Sequence, residues 1–149
     1  MNKSFIIDVH KKKHSLRIAK ASGFLSLSKD INYIFSNGDI ISKKGPVFKT
    51  SSLIAILSVK NLFSILPFCH QIFIKSCSVD IFFYSFNNIK ITCEVLADCE
   101  TGVEIEALFG VLIASINIYD MLKYISSELT INYVKLEKKI GGKSEYKIK

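Results

Sequence analysis

The chain has 149 residues, 49% of them apolar, and a mean hydropathy of +0.31. That length is enough for one ordinary domain with a real core, and the apolar content excludes a disordered chain. Twenty Lys and Arg against thirteen Asp and Glu give a net charge of +7, which favours an anionic partner: nucleic acid, a phosphate-bearing metabolite or an acidic surface.

In chain order, Ser15 to Leu27 reads as a strand carrying Leu16 and Ile18. Ser28 is placed to cap a short helix running through Ile34 and Phe35, closed by Asn37-Gly38. After Gly45-Pro46, a second helix is predicted from Thr50 to Phe63, with Leu53, Ile54, Leu57 and Leu62 near one face and Pro67 beyond its end. Ile72 to Phe86 is rich in Ile, Phe, Val and Tyr, and Asn87-Asn88 suits a turn. The odd positions Ile89 to Ala97 alternate with mostly polar neighbours, so this strand has one wet face and pairs with the one before it as a hairpin. The longest helix runs from about Val103 to Ser126, where Val103, Ala107, Val111, Ala114, Ile118, Leu122 and Ile125 recur every three or four residues. Ile131, Tyr133 and Leu136 mark a last strand before the Gly141-Gly142 loop. The order β-α-α-β-β-α-β predicts an α+β fold of ferredoxin-like plan, an antiparallel sheet with helices packed on one face. No domain boundary is visible, and residues 1–149 read as a single domain.

The apolar excess leaves surface for a partner subunit to cover, so oligomerisation is expected. Cys69, Cys77, Cys93 and Cys99 form no CxxC pair and no zinc-binding spacing, which points to core thiols in a reducing compartment. Lys60, Asn61, Pro67, His70 and Gln71 interrupt the apolar stretch Ser52 to Ile74, which argues against a spanning helix there. Without a secretory signal pattern near the N-terminus, the expected compartment is the cytoplasm.

Four segments place polar groups where chemistry can use them. Leu66-Pro67-Phe68-Cys69-His70 sets a histidine, the side chain best suited to proton transfer near neutrality, between a helix and a strand. Thr101 to Leu108 opens the long helix with Glu104 and Glu106, an arrangement the helix dipole alone would also favour. Asp120 and Lys123 lie three apart late in the same helix and share a face. A surface ion pair is the plain explanation, but the apolar setting suggests partial burial with both pKa values drawn towards neutrality. Lys139-Ile140-Gly141-Gly142-Lys143-Ser144 lacks Walker spacing, yet its glycines allow close backbone approach to a phosphate beside Lys139 or Lys143.

Taken together and in order, LPFCH (66–70), TGVEIEAL (101–108), IYDMLK (118–123) and KIGGKS (139–144) resemble the cyclic pyranopterin monophosphate synthase family of molybdenum-cofactor biosynthesis. SLRIAKA (15–21) and KGPVF (44–48) add to the likeness, which covers nearly the whole chain. The resemblance implies a ferredoxin-like subunit in a hexamer, a trimer of dimers with active sites at the dimer interface. It implies conversion of 3′,8-cyclo-7,8-dihydro-GTP to cyclic pyranopterin monophosphate with release of pyrophosphate. No cofactor is implied beyond a possible Mg²⁺ carried by the triphosphate, and no metal ligands, nucleic acid or membrane. By the same resemblance, Asp120 is the principal acid/base, and Lys44 and Lys123 assist proton transfer and phosphate cyclisation. Phe68, Cys69 and His70, then Ile105 and Glu106, fall in substrate-binding stretches, and Arg17 and Lys139 match contacts to the phosphates. Cations of this kind neutralise a triphosphate and its leaving group.

Fourteen residues separate Glu106 from Asp120, roughly 21 Å along a continuous helix at about 1.5 Å per residue. They cannot both touch one reacting centre within one subunit, so each site is expected to combine two chains. The chain departs from the family pattern at Pro46 (commonly Asp), Gln71 (commonly Pro) and Ser52 (commonly Arg). A competing reading is a non-catalytic anion- or RNA-binding ferredoxin-like module, with Phe82, Phe83, Tyr84 and Phe86 as the stacking residues.

Overall fold

In the computed structural model, which describes residues 4–27, 34–142 and 144–148, alternation decides which way each long strand faces. In β1 (Ser15–Ser26) and β6 (Asn88–Cys99) the odd positions, among them Ala19, Ala21, Leu25, Ile89, Ile91, Cys93, Val95 and Ala97, are buried. Most even positions stay partly wet, as a sheet covered on one side requires. β5 (Ile74–Ser85) pairs with β6 through a two-residue turn at Phe86-Asn87. β7 (Thr130–Ile140) lies on the other side of β1, and β8 (Tyr146–Lys147) on the outside of β7. The sheet order is β5-β6-β1-β7-β8, with every pair antiparallel.

Two helices cover the buried face. α1 (Val47–Lys60) comes between β1 and β5, and α2 (Glu104–Leu122) between β6 and β7, each crossover stepping over one strand. This is the expected ferredoxin-like α+β arrangement. α2 lies against β1, β6, β7 and α1, and it approaches closely because its inner positions are small. A Cβ on Gly110 would sit 2.5 Å from the Cys93 sulfur and 3.0 Å from Val59. By length and hydropathy α2 is apolar enough to cross a bilayer, but half of it is buried inside the fold, the signature of a core helix.

The structure corrects the reading between β1 and α1. Residues 28–33 of the helix expected from Ser28 lie outside the described residues, and its expected end, Phe35, belongs to a strand. β2 (Phe35–Ser36), β3 (Asp39–Ser42) and β4 (Gly45–Pro46) form a small second sheet. Asn37-Gly38 closes its first hairpin: both residues have positive φ, 51° and 79°, which a two-residue hairpin loop needs. The Asn-Gly signal was a hairpin turn, not a helix stop. α1 also begins three residues before Thr50, because Val47 and Phe48 are core residues that the first turn buries.

β1 packs closely at Gly23: a Cβ there would meet Val111 of α2 at 2.8 Å and Val134 of the neighbouring β7 at 3.0 Å. Gly23→Ala should lower stability in urea unfolding by about 1–3 kcal/mol, the usual cost of overpacking. Val111→Ala in the same chain should recover part of the loss.

Candidate active site

The chemistry-bearing residues gather at the two ends of α2. At its N-terminal end, two clefts adjoin and share Lys12, Thr101, Gly102 and Ile105. The smaller, about 190 Å³, is lined by Phe68, Cys69, His70, Ile105 and Glu106, with Ile7 and Val9 of the N-terminal segment along its rim. The larger, about 600 Å³, is lined by Arg17, Lys139, Gly141 and Gly142 together with Lys12, Lys13 and Glu104.

Each wall has a local cause. Arg17 is on an inward position of β1, and its guanidinium donates to the backbone carbonyls of Cys99 (3.2 Å) and Glu100 (3.1 Å). Those bonds tie β1 to the loop that leads into α2. Gly141 and Gly142 have φ of 89° and 88°. A side chain on Gly141 would strike the Leu16 carbonyl, and one on Gly142 the Arg17 guanidinium, so only glycine lets the loop pass this closely. Lys143 lies outside the described residues. The Lys139 ammonium is 2.6 Å from the Glu104 carboxylate. His70 and Cys69 reach the smaller cleft through a turn in which the Cys69 N–H donates to the Leu66 carbonyl at 3.0 Å.

Glu106 is the exceptional group. Only 4% of it is exposed, and burial, aided by the negative charge of Glu104, pushes its carboxyl up to about 7 against a hydrogen bond from its own backbone N–H. Burial, with Glu106 nearby, also pushes the Cys69 thiol upwards. Of the two carboxylates in the first turn of α2, Glu104 is thus an ion-pair partner and Glu106 a buried acid.

At the C-terminal end Asp120 lies between two ammonium groups, 2.5 Å from Lys44 and 2.8 Å from Lys123. Lys44 also donates to the Asp120 backbone carbonyl at 3.3 Å. The hydrogen bonds from Lys123 and then Lys44 hold the Asp120 carboxyl down to about 2, and Asp120 in turn raises Lys123. This departs from the expected drift towards neutrality. All three side chains are about half exposed, so desolvation is small and opposite charges stabilise one another's ionised forms.

The ten residues singled out in the sequence therefore fall into two sets. Arg17, Phe68, Cys69, His70, Ile105, Glu106 and Lys139 meet at one end of α2. Lys44, Asp120 and Lys123 meet at the other, and no single chain joins the two sets. Lys12 and Lys13 line the clefts without having been singled out, as does Glu104, noted in the sequence only as a carboxylate in the first turn of α2. The run Lys11–Lys13 was visible as charge, but a charge run does not reveal which cleft it folds against. The aromatic cluster divides too. Phe82, Tyr84 and Phe86 are exposed, whereas Phe83 packs on Phe35 and Phe48 with ring centroids 5.0 and 5.8 Å away.

Sequence comparison decides the family: the MoaC family pattern matches residues 6–142. The chain belongs to the MoaC family. Among its relatives is the cyclic pyranopterin monophosphate synthase of Campylobacter jejuni, 39% identical over 140 residues that cover 93% of this chain and 88% of that protein. The molybdenum cofactor biosynthesis protein 1 of Dictyostelium discoideum is 46% identical over 113 residues, 76% of this chain but 18% of that protein. The molybdenum cofactor biosynthesis bifunctional protein of Synechocystis is 38% identical over 144 residues, 94% of this chain and 42% of its own length. The chain thus spans less than half of these last two relatives, and most of the bacterial synthase. Within the MoaC frame, both ends of α2 lie inside the matched region.

The raised carboxyl of Glu106 makes stability depend on pH. The folded chain holds this proton more tightly than the unfolded chain, so its contribution falls as pH rises from about 4.5 to about 7. Urea titrations of wild type and Glu106→Gln across that window should differ by a gap that changes by roughly 3 kcal/mol, with the wild type losing ground as pH increases. A constant gap would mean that Glu106 titrates normally.

Proposed function

We propose that this MoaC-family chain acts in molybdenum-cofactor biosynthesis as a cyclic pyranopterin monophosphate synthase, converting 3′,8-cyclo-7,8-dihydro-GTP to the cyclic monophosphate with release of pyrophosphate. The observation that carries the reading is the pair of adjoining clefts at the start of α2. One is cationic and glycine-walled, suited to a polyphosphate; the other holds His70, Cys69 and the buried Glu106, suited to a heterocycle with several exchangeable protons.

In this proposal Arg17 and Lys139 neutralise the triphosphate and the departing pyrophosphate. The anion takes over the Lys139 ammonium from Glu104. Glu106, poised near neutrality, donates or accepts a hydrogen bond at the ring system. Asp120, with its carboxyl near 2 in the free chain, is a weak base while both ammonium groups hold it. Its proton affinity rises once substrate phosphate draws Lys44 or Lys123 away, because those two hydrogen bonds are what hold it down. The trio can then move protons during ring rearrangement and attack at the α-phosphate. The reading needs no resident cofactor, and Mg²⁺ would enter with the triphosphate. The cytoplasm, where nucleotide precursors are made, is the compartment it implies.

The working unit is a dimer of chains, assembled further into a hexamer as a trimer of dimers. Ile105, Leu112, Ile116 and Tyr119 form an exposed apolar line along α2 between its two functional ends, beside the exposed Leu53 and Leu57 of α1. Two such helices packed antiparallel about a two-fold axis would bring the clefts of one chain to the Asp120 trio of the other and cover this line.

Asp120→Asn should fold normally and lose turnover by roughly 10²–10⁴-fold, followed as oxidised pterin fluorescence and pyrophosphate release from freshly made precursor. Wild-type turnover in that variant would remove Asp120 from the chemistry. Refolding Lys139→Ala and Lys123→Ala chains together should restore roughly a quarter of wild-type activity, since random pairing leaves one intact site in each mixed dimer. No recovery would place the whole site within one chain.

A further inference from the structure

Lys44 reaches Asp120 from the turn between β3 and β4, a two-residue connection on a sheet of only three short strands. Lysine side chains are among the most costly in entropy to immobilise, so a short, precise contact from such a turn requires support. Three ties supply it. The Ser42 hydroxyl closes the turn from within, donating to the Gly45 carbonyl at 3.0 Å and accepting from the Lys44 N–H at 3.1 Å. Tyr124, just past the end of α2, accepts the Lys43 N–H on its hydroxyl at 2.8 Å, and the Lys43 ammonium lies 5.5 Å from its ring centroid. These contacts bind the turn directly to the helix end that carries Asp120 and Lys123.

The third tie comes from the other side. The residue at the N-cap of α1 is Pro46, which makes no side-chain cap, and the first backbone N–H groups of a helix need acceptors. Asp39, on β3, provides them from outside the helix. Its carboxylate accepts from Phe48 (2.7 Å) and Lys49 (3.1 Å), and also from Ile40 at 2.7 Å. One side chain therefore fixes the start of α1 against β3, and the turn bearing Lys44 is clamped between them. With Pro46 at the N-cap the helix start is still capped, because Asp39 does the capping.

We propose that Tyr124 and Asp39 are positioning residues for Lys44, holding the Lys43-Lys44 turn so that the Lys44 ammonium is delivered to Asp120. Neither touches the reacting atoms, and the role rests on the synthase reading only for its kinetic consequence. Tyr124→Phe removes the acceptor and keeps the ring. Its kcat should fall about 10-fold with KM within about twofold of wild type, as expected for misplacement of a group needed in the chemical step.

The second readout is independent of turnover. In protein labelled with ¹⁵N-lysine, the Lys44 side-chain ammonium, assigned through its loss in Lys44→Arg, should give a slowly exchanging resonance that broadens in Tyr124→Phe and in Asp39→Ala. If Asp39→Ala fails to fold, Asp39→Asn, which keeps one acceptor oxygen, should show the same broadening to a lesser degree. The proposal is overturned if Tyr124→Phe accelerates exchange of the Lys43 amide yet leaves kcat and the Lys44 ammonium resonance unchanged. Absence of turnover in the wild type would sink the synthase reading instead, and the ammonium resonance alone would then decide whether Tyr124 and Asp39 hold Lys44.

Discussion

A nineteen-residue helix cannot bring its two ends together, and α2 carries candidate site residues at both. Its inner face is buried against β1, β6 and β7, with Gly110 and the small residues around it admitting the sheet to close range. The rise of the helix keeps the clefts and the Asp120 trio roughly 21 Å apart, and that separation makes a second chain part of the proposed site. α1, β1, β6 and β7 pack against α2, and other segments bring side chains to its ends. β1 and the β7–β8 region bring Arg17, Lys139 and the two glycines to the start, and the small second sheet brings Lys44 to the finish.

The two ends also differ in electrostatics, for reasons of solvent access. Glu106 loses water on entering the protein and, among the described residues, has Glu104 rather than a cation acting on it, so its proton is held more tightly. Asp120 keeps much of its water and gains two cations, so its proton is released more easily. One helix thus presents a carboxyl poised near neutrality at one end and a carboxylate held ionised at the other.

Local signals carried the long strands and α2 better than α1, whose buried face is Val47, Phe48, Ser51, Ala55 and Val59, while Leu53 and Leu57 of the expected apolar face are exposed. The alternation from Ile89 to Ala97 and the three-and-four spacing from Val103 onward are direct consequences of burying one face; the structure follows the first, and the helix runs from Glu104 but stops at Leu122 rather than Ser126. The region between β1 and α1 was harder to read because its strands have two to four residues, too few for a period to show. Asn37-Gly38 was a genuine turn signal attached to the wrong element. The start of α1 was misplaced because its cap comes from Asp39, seven residues before Pro46, and no local pattern links the two. Lys12 and Lys13 were visible as charge without an address.

The sequence by itself determined the α+β class and, through the fixed rise of a helix, that Glu106 and Asp120 are far apart; it also singled out the residues proposed to carry chemistry. Only the tertiary structure decided which residues share an end of α2, that Glu104 pairs with Lys139, and that Lys44 meets Asp120 across 76 positions of chain. It also decided the direction of each pKa shift. Spacing along a chain reports which face of an element a side chain occupies; it does not report how much water remains there or which charge arrives from another element, and those two quantities set proton affinity.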